Sequence, residues 1–71
     1  MAKIPENYGT LEYLQELEEI LTNLDSVRKN LGKFDRKERF TISRAMESLR
    51  DLKKRSARHG LKLGMLREED L

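Results

Sequence analysis

The sequence predicts an all-α fold: an antiparallel two-helix hairpin of coiled-coil type, followed by a short C-terminal tail. Three observations predict it. Apolar residues recur at helical spacing in two long stretches, a single break at 32–35 separates them, and acidic residues concentrate before the break while basic residues concentrate after it. Because the connection is so short, the two helices must either fold back or bend. Opposite charges on the two arms favour folding back.

The first helix is predicted at about 11–31. Thr10 is a suitable N-cap residue, and Glu12 places negative charge in the first turn, where the helix dipole favours it. The apolar stripe contains Tyr13, Leu17, Ile20, Leu24, Val27 and Leu31, and Leu14 and Leu21 widen it along one edge. This stripe is broader than a two-stranded seam, which suits a helix with more than one neighbour. Gly32 is expected to end the helix in a left-handed conformation.

The second helix is predicted at about 36–59, since Asp35 and Glu38 have the spacing of a capping box. Its thinner stripe contains Ile42, Ala45, Met46, Leu49 and Leu52, continued by Ser56. Gly60 is expected to terminate it. The predicted organisation is a flexible segment at 1–9, a helical hairpin at 10–60 and a tail at 61–71, with a short, weak helix from about Met65.

Length and composition limit the protein class. A chain of 71 residues forms one domain at most, and it contains no cysteine for disulfides or thiolate metal sites. Charged residues make up 39% of it, and no apolar run approaches the roughly 20 residues that span a bilayer. We therefore expect a soluble cytoplasmic protein with no membrane partner.

The charge changes sign along the chain. Residues 1–26 carry one basic and six acidic side chains (net −5), residues 27–62 carry thirteen basic and four acidic (net +9), and the remainder is net −2. Folding back is expected to place Glu12, Glu16 and Glu19 alongside Arg50, Lys53, Arg55 and Arg58. Each exposed pair contributes only about 0–1 kcal/mol, so these pairs would mainly select orientation and register.

A two-helix hairpin of this composition is predicted to need a partner, because two arms shield only one side of each stripe. We expect the edge formed by Leu14 and Leu21 to stay partly exposed. The hypothesis is a non-catalytic interaction or assembly module that self-associates into a helical bundle or docks as an accessory subunit. The predicted partner contacts are Leu14, Leu21, Phe40, Met46, Leu61, Leu63, Met65 and Leu66, supported by Ile20 and Val27. For Phe40 an alternative is that it covers the hairpin end together with Phe34.

Nucleic-acid binding or regulation through the basic second helix is the alternative function, because clustered Lys and Arg bind phosphates. The predicted contacts are Arg50, Lys53, Lys54, Arg55, Arg58 and Lys62. The run 53–62 contains no aromatic side chain for base stacking, and no helix-turn-helix or RNP-like pattern is visible. The same cations could instead pair with the acidic first arm or remain solvated.

The sequence predicts no enzyme, no cofactor, no metal site and no small-molecule substrate. His59 has only Arg55 and Ser56 one turn away, so its helix face offers no second metal ligand. Carboxylates on an exposed hairpin have no cleft that would separate their pKa values for acid–base chemistry. The glycines are widely spread and form no phosphate-cradling pattern. The overall pattern is too general to indicate a particular family.

Overall fold

The computed structural model describes residues 5–32 and 35–71, and it confirms the all-α helical hairpin. Helix α1 covers Leu11–Asn30, helix α2 covers Arg36–Lys62, and a single 3-10 turn follows at Glu68–Asp70. The helices are antiparallel, since Glu18 near the start of α1 contacts Lys53 late in α2, whereas Arg28 contacts Ser43. Within the described residues, neither helix is long and apolar enough to cross a membrane.

Helix α1 begins as predicted and ends differently. The Thr10 hydroxyl oxygen accepts a hydrogen bond from the Tyr13 N–H at 3.2 Å and donates to the Asn7 carbonyl at 2.6 Å, so the predicted N-cap is confirmed. The prediction of a left-handed stop at Gly32 is wrong. Leu31 ends the helix in an extended conformation, with its N–H bonded to the Arg28 carbonyl, and Gly32 has no positive φ.

Helix α2 starts at the predicted position, but its capping box does not form. The Asp35 carboxylate makes no cap hydrogen bond and instead accepts from the Gly32 N–H at 3.3 Å. Aspartate side chains commonly bond to nearby backbone in this way, and this bond directs the carboxylate toward the segment before the helix.

Gly60 does not terminate α2, because the helix continues through it to Lys62. The stop lies at Gly64, which has a φ of +75°. The Met65 N–H bonds to the Gly60 carbonyl at 2.8 Å, and the Gly64 N–H bonds to the Leu61 carbonyl at 3.3 Å. This is the pair of bonds that defines a Schellman motif, so the glycine in the left-handed conformation is Gly64. The boundary predicted at Gly60 is therefore wrong by one turn.

Gly60 instead permits a close approach of three chain segments. A Cβ built on it would overlap the Gly9 carbonyl oxygen and would lie 2.7 Å from the Leu66 Cδ1 atom. Beside it, the fully buried Ser56 hydroxyl accepts a hydrogen bond from the Gly9 N–H at 2.9 Å. The Tyr8 ring packs edge-on against Tyr13, with ring centroids 5.6 Å apart. Segment 5–9, expected to be flexible, is thus placed against the hairpin.

The core lies between the facing sides of the two helices. The buried apolar residues are Tyr13, Leu14, Leu17 and Leu21 of α1, Met46 of α2, and Leu66 of the tail. The prediction that Leu14 and Leu21 form a partly exposed edge is therefore wrong. Ile20 and Val27, predicted within the packing stripe, remain 44% and 49% exposed. Helix α1 is rotated about its axis so that its widened edge meets α2 together with Tyr13 and Leu17 of the stripe, while Ile20 and Val27 turn away from α2.

The tail folds back without the predicted helix from Met65. Leu61 belongs to α2, a turn follows at 63–66, and the only tail helix in the described chain is the 3-10 turn at Glu68–Asp70. In that turn the Asp70 carboxylate accepts from the Arg67 N–H at 3.1 Å. The left-handed Gly64 reverses the chain, so Leu66 is directed back onto α2 instead of forward along a new helix axis.

Candidate functional site

The hairpin has two broad faces because it is one helix thick. Its principal extents are 46 × 31 × 14 Å, and an α-helix with side chains is about 10–12 Å across. Most domains bury a second layer against each apolar surface. The two faces of this layer differ in chemistry, and each is a candidate for binding.

One of them, the ionic face, carries Glu18 and Asp25 of α1 and Arg50, Lys53 and Lys54 of α2. These side chains surround an open cavity of about 550 Å³, whose floor includes Leu14, Leu21 and Met46. The Lys53 Nζ atom lies 2.6 Å from a Glu18 carboxylate oxygen. The hydrogen bond and the charge of Lys53 lower the pKa of Glu18 below its usual 4.5. This pair links the helices and neutralises part of the face.

A second carboxylate ties down the last turns of α1. Asp25 bonds to Arg28 at 2.5 Å and to Lys29 at 3.1 Å, and the hydrogen bond from Lys29, assisted by Arg28, lowers the pKa of Asp25 below its usual 3.8. Arg28 also donates to the Ser43 hydroxyl of α2 at 3.3 Å. The Asp25 carboxylate therefore orients two cations beside the start of α2.

The interhelix pairing differs from the predicted one. Glu12, Glu16 and Glu19 were expected to face the basic arm, but in the described part of the chain the single ion pair that joins the two helices is Glu18–Lys53. The rotation of α1 accounts for this, because it moves Glu18 toward α2 and leaves the other three acidic residues away from the contact.

The opposite side of the hairpin is apolar, and we call it the open face. It is formed by Ile20, Leu24 and Val27 of α1 with Ala45, Leu49 and Leu52 of α2. Residues two positions apart on a helix point about 200° apart, so Ile20 and Val27 lie opposite Glu18 and Asp25. By the same spacing Leu52 lies opposite Lys54. All six side chains are exposed or only half-buried.

The open face is nearly free of charge in a highly charged protein. On α2 the residues directed toward it are Thr41, Ile42, Ala45, Ser48, Leu49, Leu52 and Ser56, none of which is ionisable. The same helix contains ten basic and three acidic residues, and of these charged residues only Glu38, one turn before Ile42, lies in the row. On α1 the row Ile20, Asn23, Leu24 and Val27 is likewise uncharged, and Glu16 precedes it in the same row, one turn before Ile20. A solvated helix face would not need this exclusion of charge.

The turn end of the hairpin, which comprises the last turn of α1 and the first two turns of α2, gathers cations from both helices. An open cavity of about 430 Å³ there is lined by Arg28, Lys29, Arg36, Arg39 and Ser43. Among the described residues, Arg36 and Arg39 have no carboxylate within ion-pair distance. Arg36 and Arg39 lie at the positive end of the α2 dipole, whereas Arg28 and Lys29 lie at the negative end of the α1 dipole, so the positive charge here comes from the four side chains.

An aromatic ring stands beside this cationic cavity. Phe40 is 63% exposed, and it lies one turn from both Arg36 and Ser43 on α2. The Arg44 guanidinium carbon is 5.7 Å from the centre of its ring, a cation–π contact on one side. The predicted joint cover with Phe34 lies outside the described residues. The proximity of Phe40 to the basic residues was not predicted, although the i, i+3 and i, i+4 spacings contain it.

The predicted partner contacts fall into two groups. Leu14, Leu21, Met46 and Leu66 are core residues of the hairpin, whereas Phe40, Leu63 and Met65 are exposed and Leu61 is half-buried. Of the predicted nucleic-acid contacts, Lys53 pairs with Glu18, and Arg55 lies 3.6 Å from Asp51. Arg50 and Lys54 line the ionic face. A further cluster of cations lies at the turn end, where no nucleic-acid contact was predicted.

In the described part of the chain, no group of three His, Cys, Asp or Glu side chains is placed to hold a metal ion. Comparison with protein-family models found no matching family, and searches of curated proteins and of solved structures found no match.

Proposed function

We propose that this protein is a non-catalytic assembly module, and that two copies associate through their open faces to form a four-helix bundle. The observation that carries the proposal is the apolar row across both helices, which is uncharged beyond Glu16 on α1 and Glu38 on α2, on the exposed side of a layer one helix thick. Burying exposed apolar surface contributes roughly 25 cal/mol per Å². A second copy of the hairpin has the same open face, so one face-to-face pairing buries the open faces of both copies.

The dimensions of the hairpin suit this pairing. A standard interface buries about 800 Å² on each partner. The broad side of the hairpin measures 46 × 31 Å, so the open face can supply that area. A two-fold symmetric dimer uses the same patch on both copies, and a patch crossing two antiparallel helices can meet itself in this way.

Charge favours one arrangement of the two copies. Helix α1 carries five acidic and two basic side chains, whereas α2 carries three acidic and ten basic ones. Stacking α1 of one copy over α2 of the other brings opposite net charges together. Stacking α2 over α2 would place two strongly positive helices in contact. We therefore infer the crossed arrangement, in which each helix faces the other kind of helix.

Oligomeric state in solution tests the proposal. Sedimentation velocity of the full chain should show a dimer whose population falls on dilution. Ile20→Lys and Val27→Lys should each lower the dimer affinity at least tenfold, because each buries a cation in an apolar interface. Both positions are exposed in the single hairpin, so circular dichroism should show that the helices remain.

Thr22→Lys is the matched control. It introduces the same side chain on the same helix, two residues from Ile20 and therefore on the opposite face, where Thr22 is exposed. The control should leave the dimer intact. A monomer at concentrations of tens of micromolar, or a dimer that tolerates Ile20→Lys and Val27→Lys as well as it tolerates Thr22→Lys, would refute this interface.

A further inference from the structure

We propose that the turn end of the hairpin binds single-stranded nucleic acid, with the phosphates on the Arg28, Lys29, Arg36 and Arg39 side chains and a base stacked on Phe40. Three observations support this proposal. Cations from two helices line one cavity, an exposed aromatic ring stands next to them, and both lie away from the open face. The site is independent of whether the hairpin dimerises.

The cations are arranged to accept a phosphate backbone. Arg28 and Lys29 are held by Asp25, which fixes the α1 side of the cavity. Arg36 and Arg39 lie one turn apart on α2 and face the same cavity. Asp25 is one carboxylate against four cations, so the cluster keeps a net positive charge. Guanidinium groups bind phosphate oxygens in a two-pronged geometry.

Phe40 favours single strands over duplexes. A ring that is 63% exposed, with Arg44 near it, offers a stacking surface for the face of a base. Bases in a duplex present only their edges in the grooves, because their faces are stacked on each other. A purely electrostatic surface, in contrast, would not require an aromatic side chain among its cations.

The position of the site also separates it from the proposed dimer interface. Phe40 and Arg36 are directed away from the row that contains Ala45, Leu49 and Leu52. In a two-fold dimer each copy therefore keeps its own turn end exposed. Loss of dimerisation and loss of nucleic-acid binding are consequently separable results.

Fluorescence anisotropy with a labelled 12-nucleotide oligothymidylate tests the proposal. Affinity should fall steeply with salt, and Arg36→Gln combined with Arg39→Gln should make the dependence of log K on log salt shallower by roughly 0.7 for each phosphate that the protein no longer neutralises. Phe40→Leu should weaken binding about tenfold without changing that slope, since stacking and not charge is removed. A 12-base-pair duplex should bind more weakly than the single strand.

The matched control removes the same charge elsewhere on α2. Arg55→Gln combined with Lys62→Gln changes two exposed cations outside the cavity, and it should lower affinity far less than the Arg36 and Arg39 pair. An abasic deoxyribose-phosphate strand of equal length should bind wild type about as weakly as thymidylate binds Phe40→Leu. Circular dichroism and sedimentation of each variant show whether folding and dimerisation are retained.

Several results would overturn the proposal. The absence of oligonucleotide binding at 50 mM salt would do so, as would equal reductions in affinity from the turn-end and control variants. A duplex bound as tightly as the single strand, together with an unaffected Phe40→Leu variant, would reduce the site to a general polyanion surface. Tighter binding to vesicles containing phosphatidylserine than to oligothymidylate, abolished by the same Arg substitutions, would assign the cluster to a membrane surface instead.

Discussion

The two ends of the hairpin are built on opposite principles. At the end where segment 5–9 and the tail meet α2, which we call the terminal end, Gly9, Ser56, Gly60 and Leu66 pack with almost no exposed surface. At the turn end four cations and Ser43 line an open cavity, and Phe40 beside it is the most exposed large apolar residue in the described chain. The same pair of helices is thus closely packed at the terminal end and carries exposed positive charge at the turn end.

This difference indicates where stability and binding reside. The terminal end joins three separate chain segments through buried contacts, and close packing of this kind transmits a change in one segment to the others. The turn end is formed by two helix ends adjoining in sequence, whose charges repel one another. Repulsion between charges of one sign lowers stability. Surfaces that nevertheless keep such charges together are typically binding surfaces. We therefore expect substitutions at the terminal end to change the free energy of unfolding, and substitutions at the turn end to change binding.

Gly60→Ala should give the largest effect on stability. The added Cβ would overlap the Gly9 carbonyl oxygen, which is backbone and cannot rotate away. We expect a decrease of about 3 kcal/mol in the free energy of unfolding, because overpacking displaces both segment 5–9 and the tail. Alanine otherwise favours a helix interior by about 0.5–1 kcal/mol, so a decrease would identify the steric contact as its cause.

Gly32→Ala makes the same change at the turn end. The nearest atom to its added Cβ is 3.9 Å away, and Gly32 has no positive φ. Thermal unfolding followed by circular dichroism should show a melting temperature equal to wild type or a few degrees higher, because alanine restricts the unfolded chain. Equal melting temperatures for Gly60→Ala and wild type would contradict the packing described at the terminal end.

Leu66→Ala compared with Leu63→Ala sharpens the contrast within the tail. Leu66 is buried on Gly60, so its truncation should cost about 2–3 kcal/mol. Leu63 is 59% exposed and should change stability by no more than about 0.5 kcal/mol. Urea unfolding of both variants measures the difference. Equal destabilisation by the two substitutions would mean that the tail does not dock on α2 as described.

The helices and their orientation could be predicted from the sequence because periodicity and capping are local signals. The Thr10 cap follows from its residue type and position alone. The rotation of each helix did not follow, since the stripe of α1 is wide enough to present either its centre or the edge with Leu14 and Leu21. The choice between the centre and the edge depends on how the side chains of α1 pack against the narrow apolar stripe of α2. Periodicity alone does not determine such a fit.

The role of Gly60 shows a second limit of prediction. A glycine after a long apolar stripe is commonly a helix stop, and Gly64 was available four residues later for the same purpose. Gly60 differs from Gly64 because Gly9 passes beside it, and this contact joins residues that are 51 positions apart in the sequence. Local sequence does not distinguish a glycine that lets another chain segment approach closely from a glycine that reverses the direction of the chain. The cationic cluster at the turn end was missed because its members come from two helices.

The smallest effect concerns the ion pair of Glu18 with Lys53 and the carboxylate of Asp25. Both carboxyls have a lowered pKa in the folded protein, so the unfolded chain binds protons at higher pH than the folded chain does. Their stabilisation is complete above the usual values of 4.5 and 3.8, and it is lost as pH falls through the lower folded values. The melting temperature should thus change little between pH 7 and about pH 5, and decline in more acidic solution.

Glu18→Gln should reduce that decline more than Glu19→Gln, which removes the neighbouring carboxylate without touching Lys53. In 1 M NaCl the difference between the two variants should shrink, because exposed pairs are screened. An identical acid response of the two variants at low salt would mean that the Glu18–Lys53 contact does not persist in solution.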